Sequence, residues 1–378
     1  MIYLVCFGIS TLFAFFANRT KSRAAFLFLS VLSISVTVAL AGLRDYSIGI
    51  DTANYMSLPR FWAGAVKRST LGAYMEYYMS LGYNEPLFAL LVGAVEHFTG
   101  NYTVFLFATH TVIITGVYIG AFRQRHHANP ALILLLFYLC FYNHSLNIMR
   151  QYMAMAIVFA ALADIEQKKY LRFIVVVIIA RYIHTSALLA LGALAIHWVL
   201  YGSFIGLASS LRPSVRARMS TVVVGLSILV FMFPIICRFL ISAGILQSKY
   251  LFFLNVDEAE HTTINTLFLL VEMIAIFVFR KQLTRRDPYF KYFLLSSVSY
   301  LILHQLSAVL VFGKRVAAYY SLGNLVSLAM IPQSFRNKQN RIIAIVLLLC
   351  VVFVFWWYVY ILRNGNGTYP YVSILQNA

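Results

Sequence analysis

The chain is poor in charge, and the charge it has is one-sided. Of 378 residues only 12 are acidic, against 30 Lys and Arg, and charged residues make up 11% of the whole. That is less than half the share usual in soluble domains, which excludes an ordinary soluble fold. The four cysteines, Cys6, Cys140, Cys237 and Cys350, lie in or beside apolar stretches. They share neither a CxxC nor a histidine-bracketed spacing, so no disulfide framework and no metal-ligand pattern is legible. There is no internal repeat, no low-complexity tract and no polar linker that would set off a second domain. Nor does a basic segment precede the first apolar run, since the first positive charge is Arg19. Met1–Ala17 therefore reads as a retained helix rather than a cleaved leader.

What the chain has in abundance is apolar surface: 61% hydrophobic residues, 16% aromatic and a mean hydropathy of +0.80. Runs long enough to cross about 30 Å of hydrocarbon recur along almost its entire length. The expectation is an all-α polytopic integral membrane protein, one multi-span domain over 1–378. It has about twelve spans, near 1–18, 24–43, 103–122, 130–142, 147–165, 170–184, 186–201, 219–240, 264–280, 289–311, 316–332 and 341–362. A net charge of +18 would suit nucleic acid, but most Lys and Arg sit in short clusters between spans. These clusters are Arg19/Lys21/Arg23, Arg123/Arg125, Lys168/Lys169/Arg172, Arg212/Arg216/Arg218, Arg280/Lys281/Arg285/Arg286/Lys291 and Arg336/Lys338/Arg341. By the positive-inside rule they mark the cytoplasmic side, with both termini outside.

Residues 44–102 then form a long outer segment. Within it Glu85–Phe98 is apolar but short, and reads as a re-entrant or surface-lying helix. A second outer loop, 244–263, carries Asp257, Glu258, Glu260 and His261. Their spacing matches no metal-ligand pattern, and a solvated acidic lid is the better reading.

The informative charges are those on the wrong side. Arg44 lies in the turn-rich loop LRDYSIGIDTANY with Asp45, Asp51 and Tyr55, while Arg150, Arg181 and Arg315 stand at outer ends of separate spans. One such arginine could snorkel to headgroups. Four of them, with few matching acids, call for an anion, and phosphate suits the planar guanidinium fork. His184 follows Arg181 by three residues, on one helical face with it, and Asn143, Asn147 and Gln151 surround Arg150 with uncharged donors and acceptors. Glu272, inside a span, reads as a buried counter-ion to one arginine.

Taken in order, these residues resemble the EpsG family of bacterial polysaccharide polymerases, related in role to the Wzy O-antigen polymerases. The early loop matches at Arg44, Gly49, Asp51, Thr52 and Tyr55. Glu85–Pro86 follows, then the helix start Asn147, Arg150, Gln151 and Ala154, then His184 with Ser186, and finally Arg315 with Tyr319. The likeness runs from about residue 40 to 320, with Ile50 a departure where the family has a small or hydroxyl residue.

The resemblance implies a lipid-carrier-dependent glycosyltransferase of the cytoplasmic (inner) membrane, its site facing the periplasm or exterior. Such an enzyme moves a growing glycan from its undecaprenyl-diphosphate carrier to a new lipid-linked repeat unit. Donor, acceptor and membrane lipids are the expected partners, with a chain-length regulator as a further one. No cofactor, metal or nucleic acid is expected. Asp51, His184 and, third, Glu85 are the candidates for the general base that deprotonates the acceptor hydroxyl. Arg44, Tyr55, Asn147, Arg150, Gln151, Arg181, Ser186, Arg315 and Tyr319 would hold diphosphate and sugar, the arginines offsetting charge on the leaving group.

Three alternatives stay open. A transporter of lipid-linked oligosaccharide would show charges toward both faces and repeated halves. An O-antigen ligase runs nearly the same reaction. A membrane O-acyltransferase would want its histidine deeper in the membrane.

Overall fold

The computed structural model describes residues 2–52, 54–55, 71–80, 84–202, 213–243, 259–308 and 313–376. Asp257, Glu258 and the loop reaching back to Gly244 lie outside these residues. So does much of the middle of the segment expected over 44–102.

Two compact units divide the chain, Met1–Leu188 with Ile345–Ala378, and Leu189–Ala344. The first contains α1 (Ile2–Ala17), α2 (Arg23–Gly42), α3 (Leu71–Ser80), α4 (Pro86–Phe98), α5 (Tyr102–Arg123), α6 (Pro130–Phe137), α7 (Met149–Ala161), α8 (Ala163–Glu166) and α9 (Tyr170–Arg181). The second contains α10 (Leu191–Tyr201), α11 (Val215–Ser242), α12 (Ala259–Arg286), α13 (Phe290–His304) and α14 (Gly313–Met330). A last helix, α15 (Lys338–Trp356), carries the chain from the second unit back into the first. Each of the twelve stretches read as a span is helical over most of its described residues. Among the described residues five helices are long and apolar enough to cross a membrane, and several shorter apolar ones accompany them.

Local chemistry sets the helix starts. Ser22 accepts from the Ala25 amide to cap α2, Asn101 caps α5 through Thr103, and Asn129 followed by Pro130 opens α6. The core of the first unit is α7, apolar on nearly every side, with Met149, Tyr152, Met153, Ala154, Met155, Ala156, Val158 and Phe159 all buried. A helix of that kind must be wrapped by others, and α5 and α9 pack on it. The α5–α7 approach is close because Gly116 lacks a side chain: a Cβ there would stand 2.8 Å from Ala156. In the second unit α13 packs against α10, α11, α12 and α14.

The helix expected over Glu85–Phe98 is α4, 13 residues long. At 1.5 Å per residue that is about 20 Å, too short to span.

Candidate functional site

The site is built where four distant pieces of chain in the first unit meet. The first is the loop after α2. Gly49 takes φ +101°, where a side chain would be strained and would also collide with Thr52 Oγ1 at 2.7 Å. Asp45 closes a local turn by accepting from the Ser47 amide at 2.9 Å and its hydroxyl at 2.7 Å. The loop is also held from outside. Gly49 N donates to Gly367 O at 2.8 Å, Ile50 N to Asn366 O at 3.1 Å, and Asp45 N to Val372 O at 2.8 Å. Arg44 forms an antiparallel bridge with Ser373. Residues 366–373 thus act as a clasp. Asn147 closes it from the other side, accepting from the Asp51 amide at 3.0 Å and donating to Asn366 O at 3.0 Å.

The second piece is Glu85, at the N-cap of α4. An N-cap side chain normally bonds its own helix, but that of Glu85 does not. It turns instead to the other two pieces. Oε2 accepts from Arg150 Nη1 at 2.6 Å, in the first turn of α7. Oε1 accepts from the Thr185 amide at 3.1 Å and bonds His184 Nδ1 at 2.6 Å, just past α9. A carboxylate can only accept, so His184 Nδ1 carries a proton. The ring's other nitrogen, Nε2, is then the one left to act on substrate. Burial works to raise the Glu85 pKa. The His184 hydrogen bond, the charge of Arg150 and the Thr185 N–H outweigh it and hold the carboxyl below its ordinary value.

Two further bonds dock the same segments, the main-chain Leu87 N onto Tyr182 O at 3.0 Å and the Arg181 side chain Nη1 onto Asn84 O at 2.9 Å. The Arg150 guanidinium lies 5.4 Å from the Phe88 ring centre and 6.0 Å from that of Tyr55. Burial raises the Tyr55 hydroxyl pKa, and the neighbouring Arg150 moderates the rise.

The structure therefore brings together Tyr55, Glu85, Arg150, Arg181 and His184, with Asp51 and Asn147 joined to them through the loop. Gln151 is buried beside Arg150 in sequence, and Ser186 lies two residues past His184. Arg44 stands apart from this cluster. It is fully buried, donating to Ala41 O at 3.2 Å and Leu146 O at 2.9 Å, and facing Met149 Sδ and His110 Nε2. An arginine only donates, so His110 Nε2 accepts and its Nδ1 donates to Leu106 O at 3.0 Å. Arg315 and Tyr319 belong to α14 of the second unit, Tyr319 buried.

Glu272 is corrected. Its carboxylate accepts from Asn324 Nδ2 at 2.7 Å, and among the described residues no arginine stands within ion-pair distance of it. Its bonded partner is an amide on α14 rather than a guanidinium.

Sequence reasoning missed the clasp, although the Gly365-Asn366-Gly367 turn was its visible signal. It also missed the buried polar chain behind it. Trp356 Nε1 donates to Asn143 Oδ1 at 2.9 Å, Asn143 Nδ2 to Thr368 Oγ1 at 2.9 Å, and Tyr3 OH to Thr368 O at 2.8 Å.

These features define a multi-helix membrane protein with a partly buried Arg–Glu–His cluster beside a loop carrying a carboxylate. The EpsG family profile matches residues 25–373, and the chain belongs to the EpsG family. Membership agrees with a polysaccharide-polymerase role acting on lipid-linked glycans. No curated protein and no solved structure matches the chain.

Proposed function

We propose that the chain is a polysaccharide polymerase that moves a growing glycan from undecaprenyl diphosphate to a new lipid-linked repeat unit. The observation that carries this reading is the sharing of Glu85 between Arg150 and His184. It yields an oriented imidazole beside fixed positive charge, the two things glycosyl transfer from a diphosphate requires.

In the step, the acceptor hydroxyl oxygen attacks the anomeric carbon of the donor, and His184 Nε2 takes the hydroxyl proton. The bond from that carbon to the diphosphate breaks, and its electron pair leaves with the diphosphate. Arg150 and Arg181 offset the charge that develops there. Glu85, occupied by three donors, orients His184 and Arg150 rather than acting as the base. Asp51 is the second candidate base, and Tyr55 and Asn147 shape its surroundings. Arg44, satisfied by main-chain and buried partners, positions the loop. For Arg315 and Tyr319 on α14 we carry over the diphosphate- and sugar-binding role that the family resemblance implies.

The alternation of basic clusters supports twelve crossings with both termini outside, which puts this chemistry at the outer face of the cytoplasmic membrane. A chain-length regulator would meet the polymerase there.

The test is reconstitution with lipid-linked repeat units, comparing wild type with His184→Ala and Arg150→Lys. A ladder from wild type and single units from both variants is the expected result. In cells lacking the gene, long carrier-linked polymer that never reaches its final acceptor would instead make the protein a ligase. Repeat units trapped on the inner face would make it a transporter.

A further inference from the structure

At the far end of α5 from the Glu85 cluster, a second group of chemically active side chains comes together. The helix has 22 residues, which places the two ends about 33 Å apart. His126 and His127 lie in the turn that follows α5, and Glu166 closes α8. His126 Nε2 stands 3.1 Å from Glu166 Oε2 and His127 Nε2 stands 2.9 Å from the same oxygen. The three ligating atoms all lie within 4.8 Å of one another. His127 is almost wholly buried, while His126 is half exposed and leaves a route in from solvent.

The surroundings fix this arrangement independently of any ligand. Arg123, one helical turn before the histidines, bonds both oxygens of Asp164 and donates to Ala160 O at 2.7 Å. Arg172 Nε adds a contact to Asp164 at 3.3 Å. Asp164 is thereby occupied and its charge offset. Glu166, two residues on, is bonded by the two histidines. Arg125 also lies in this turn but is exposed, where solvent screens it.

We propose that His126, His127 and Glu166 form a zinc site. Two imidazoles and one carboxylate are a borderline donor set, suited to zinc rather than to calcium or magnesium, which prefer oxygen. An ion held at about 2.1 Å from each of three atoms in tetrahedral array separates those atoms by about 3.4 Å. The two imidazole–carboxylate spacings need only a small outward shift to reach this, and all three atoms already lie within 4.8 Å of one another. Each histidine would ligate through Nε2 and keep its ring proton on Nδ1, so water takes the fourth position. The ion would tie the turn after α5 to the end of the α7–α8 stretch. Those are the same two elements that cross closely at Gly116, and α7 carries Arg150 at its other end. This site does not depend on the reading of the Glu85 cluster.

The experiment uses the full chain, free of any polyhistidine tag, purified in detergent and stripped with chelator. Zinc is titrated in while bound metal and thermal midpoint are measured, with cobalt as a spectroscopic probe of the ligand set. About one zinc per chain, a raised midpoint and a cobalt spectrum showing histidine ligation are expected. All three should be lost in His126→Ala and in Glu166→Gln. His126 is half exposed and Glu166→Gln is isosteric, so neither should prevent folding, and size-exclusion profiles check this. No zinc uptake by wild type, leaving only a hydrogen-bonded carboxylate–histidine cluster, would overturn the proposal. Equal uptake by wild type and both variants would do the same.

Discussion

Glu85 Oε1 holds His184 Nδ1 at 2.6 Å across 99 residues of sequence. The pair joins the start of a short helix to the end of another and fixes which imidazole nitrogen is presented. Altering this contact or its supports should therefore register in both activity and stability.

Replacing Glu85 by Gln keeps the shape but removes the charge. Arg150 then loses its ion-pair partner and His184 is no longer held to one tautomer. We expect polymer formation to fall by about 10²–10⁴-fold and stability by about 1–3 kcal/mol. Ladder assays and thermal unfolding of the purified variant measure the two effects. Wild-type rates in the variant would remove Glu85 from any orienting role.

The same residue predicts a pH dependence of stability. Its folded pKa lies below the ordinary carboxylate value, so the unfolded chain binds the proton more tightly. The contribution is therefore complete above the unfolded value of about 4.3. It is lost as pH falls through the folded value. Thermal midpoints of wild type should drop across this acidic window more steeply than those of Glu85→Gln. Parallel curves would contradict the assignment.

Arg150→Lys preserves the charge but not the planar fork. The guanidinium that bonds Glu85 also faces Phe88 and Tyr55, and an ammonium cannot reproduce both contacts. A loss of about 10²-fold in turnover is expected, with a smaller loss for Arg181→Lys, whose resolved contact is to a carbonyl. Kinetics on defined lipid-linked substrates would separate the two variants.

Asn147→Ala removes two bonds at once, one to the Asp51 amide and one to Asn366 O. Stability should fall by about 1–3 kcal/mol. Amide exchange in residues 44–55 and 364–373 should rise together, because each segment is the other's partner. Faster exchange in only one of them would mean that the clasp does not act as a unit.

Much of this arrangement was legible in the sequence because it rests on local rules. Apolar run length located the helices, and turn chemistry marked the Gly49 loop. Scarce charges at span ends pointed to Arg150, Arg181 and His184. What escaped was pairing over distance. Nothing local says that an N-cap glutamate will ignore its own helix, or that Glu272 will meet an asparagine. Arg44 had the same charge and the same kind of position as Arg150, yet it is buried among carbonyls, a histidine and a thioether. The clasp was missed because the Gly365-Asn366-Gly367 turn marks a bend but not its partner, and main-chain bonds between residues 45–50 and 366–372 leave no side-chain pattern that would name it.

The clasp also bears on how the protein is made. The loop at 44–55 leaves the ribosome early, but Gly49, Ile50 and Asp45 find their carbonyl partners only when residues 366–372 arrive. Until then those amides lack their carbonyl partners. The order of the early loop thus hangs on a stretch of chain made long after it.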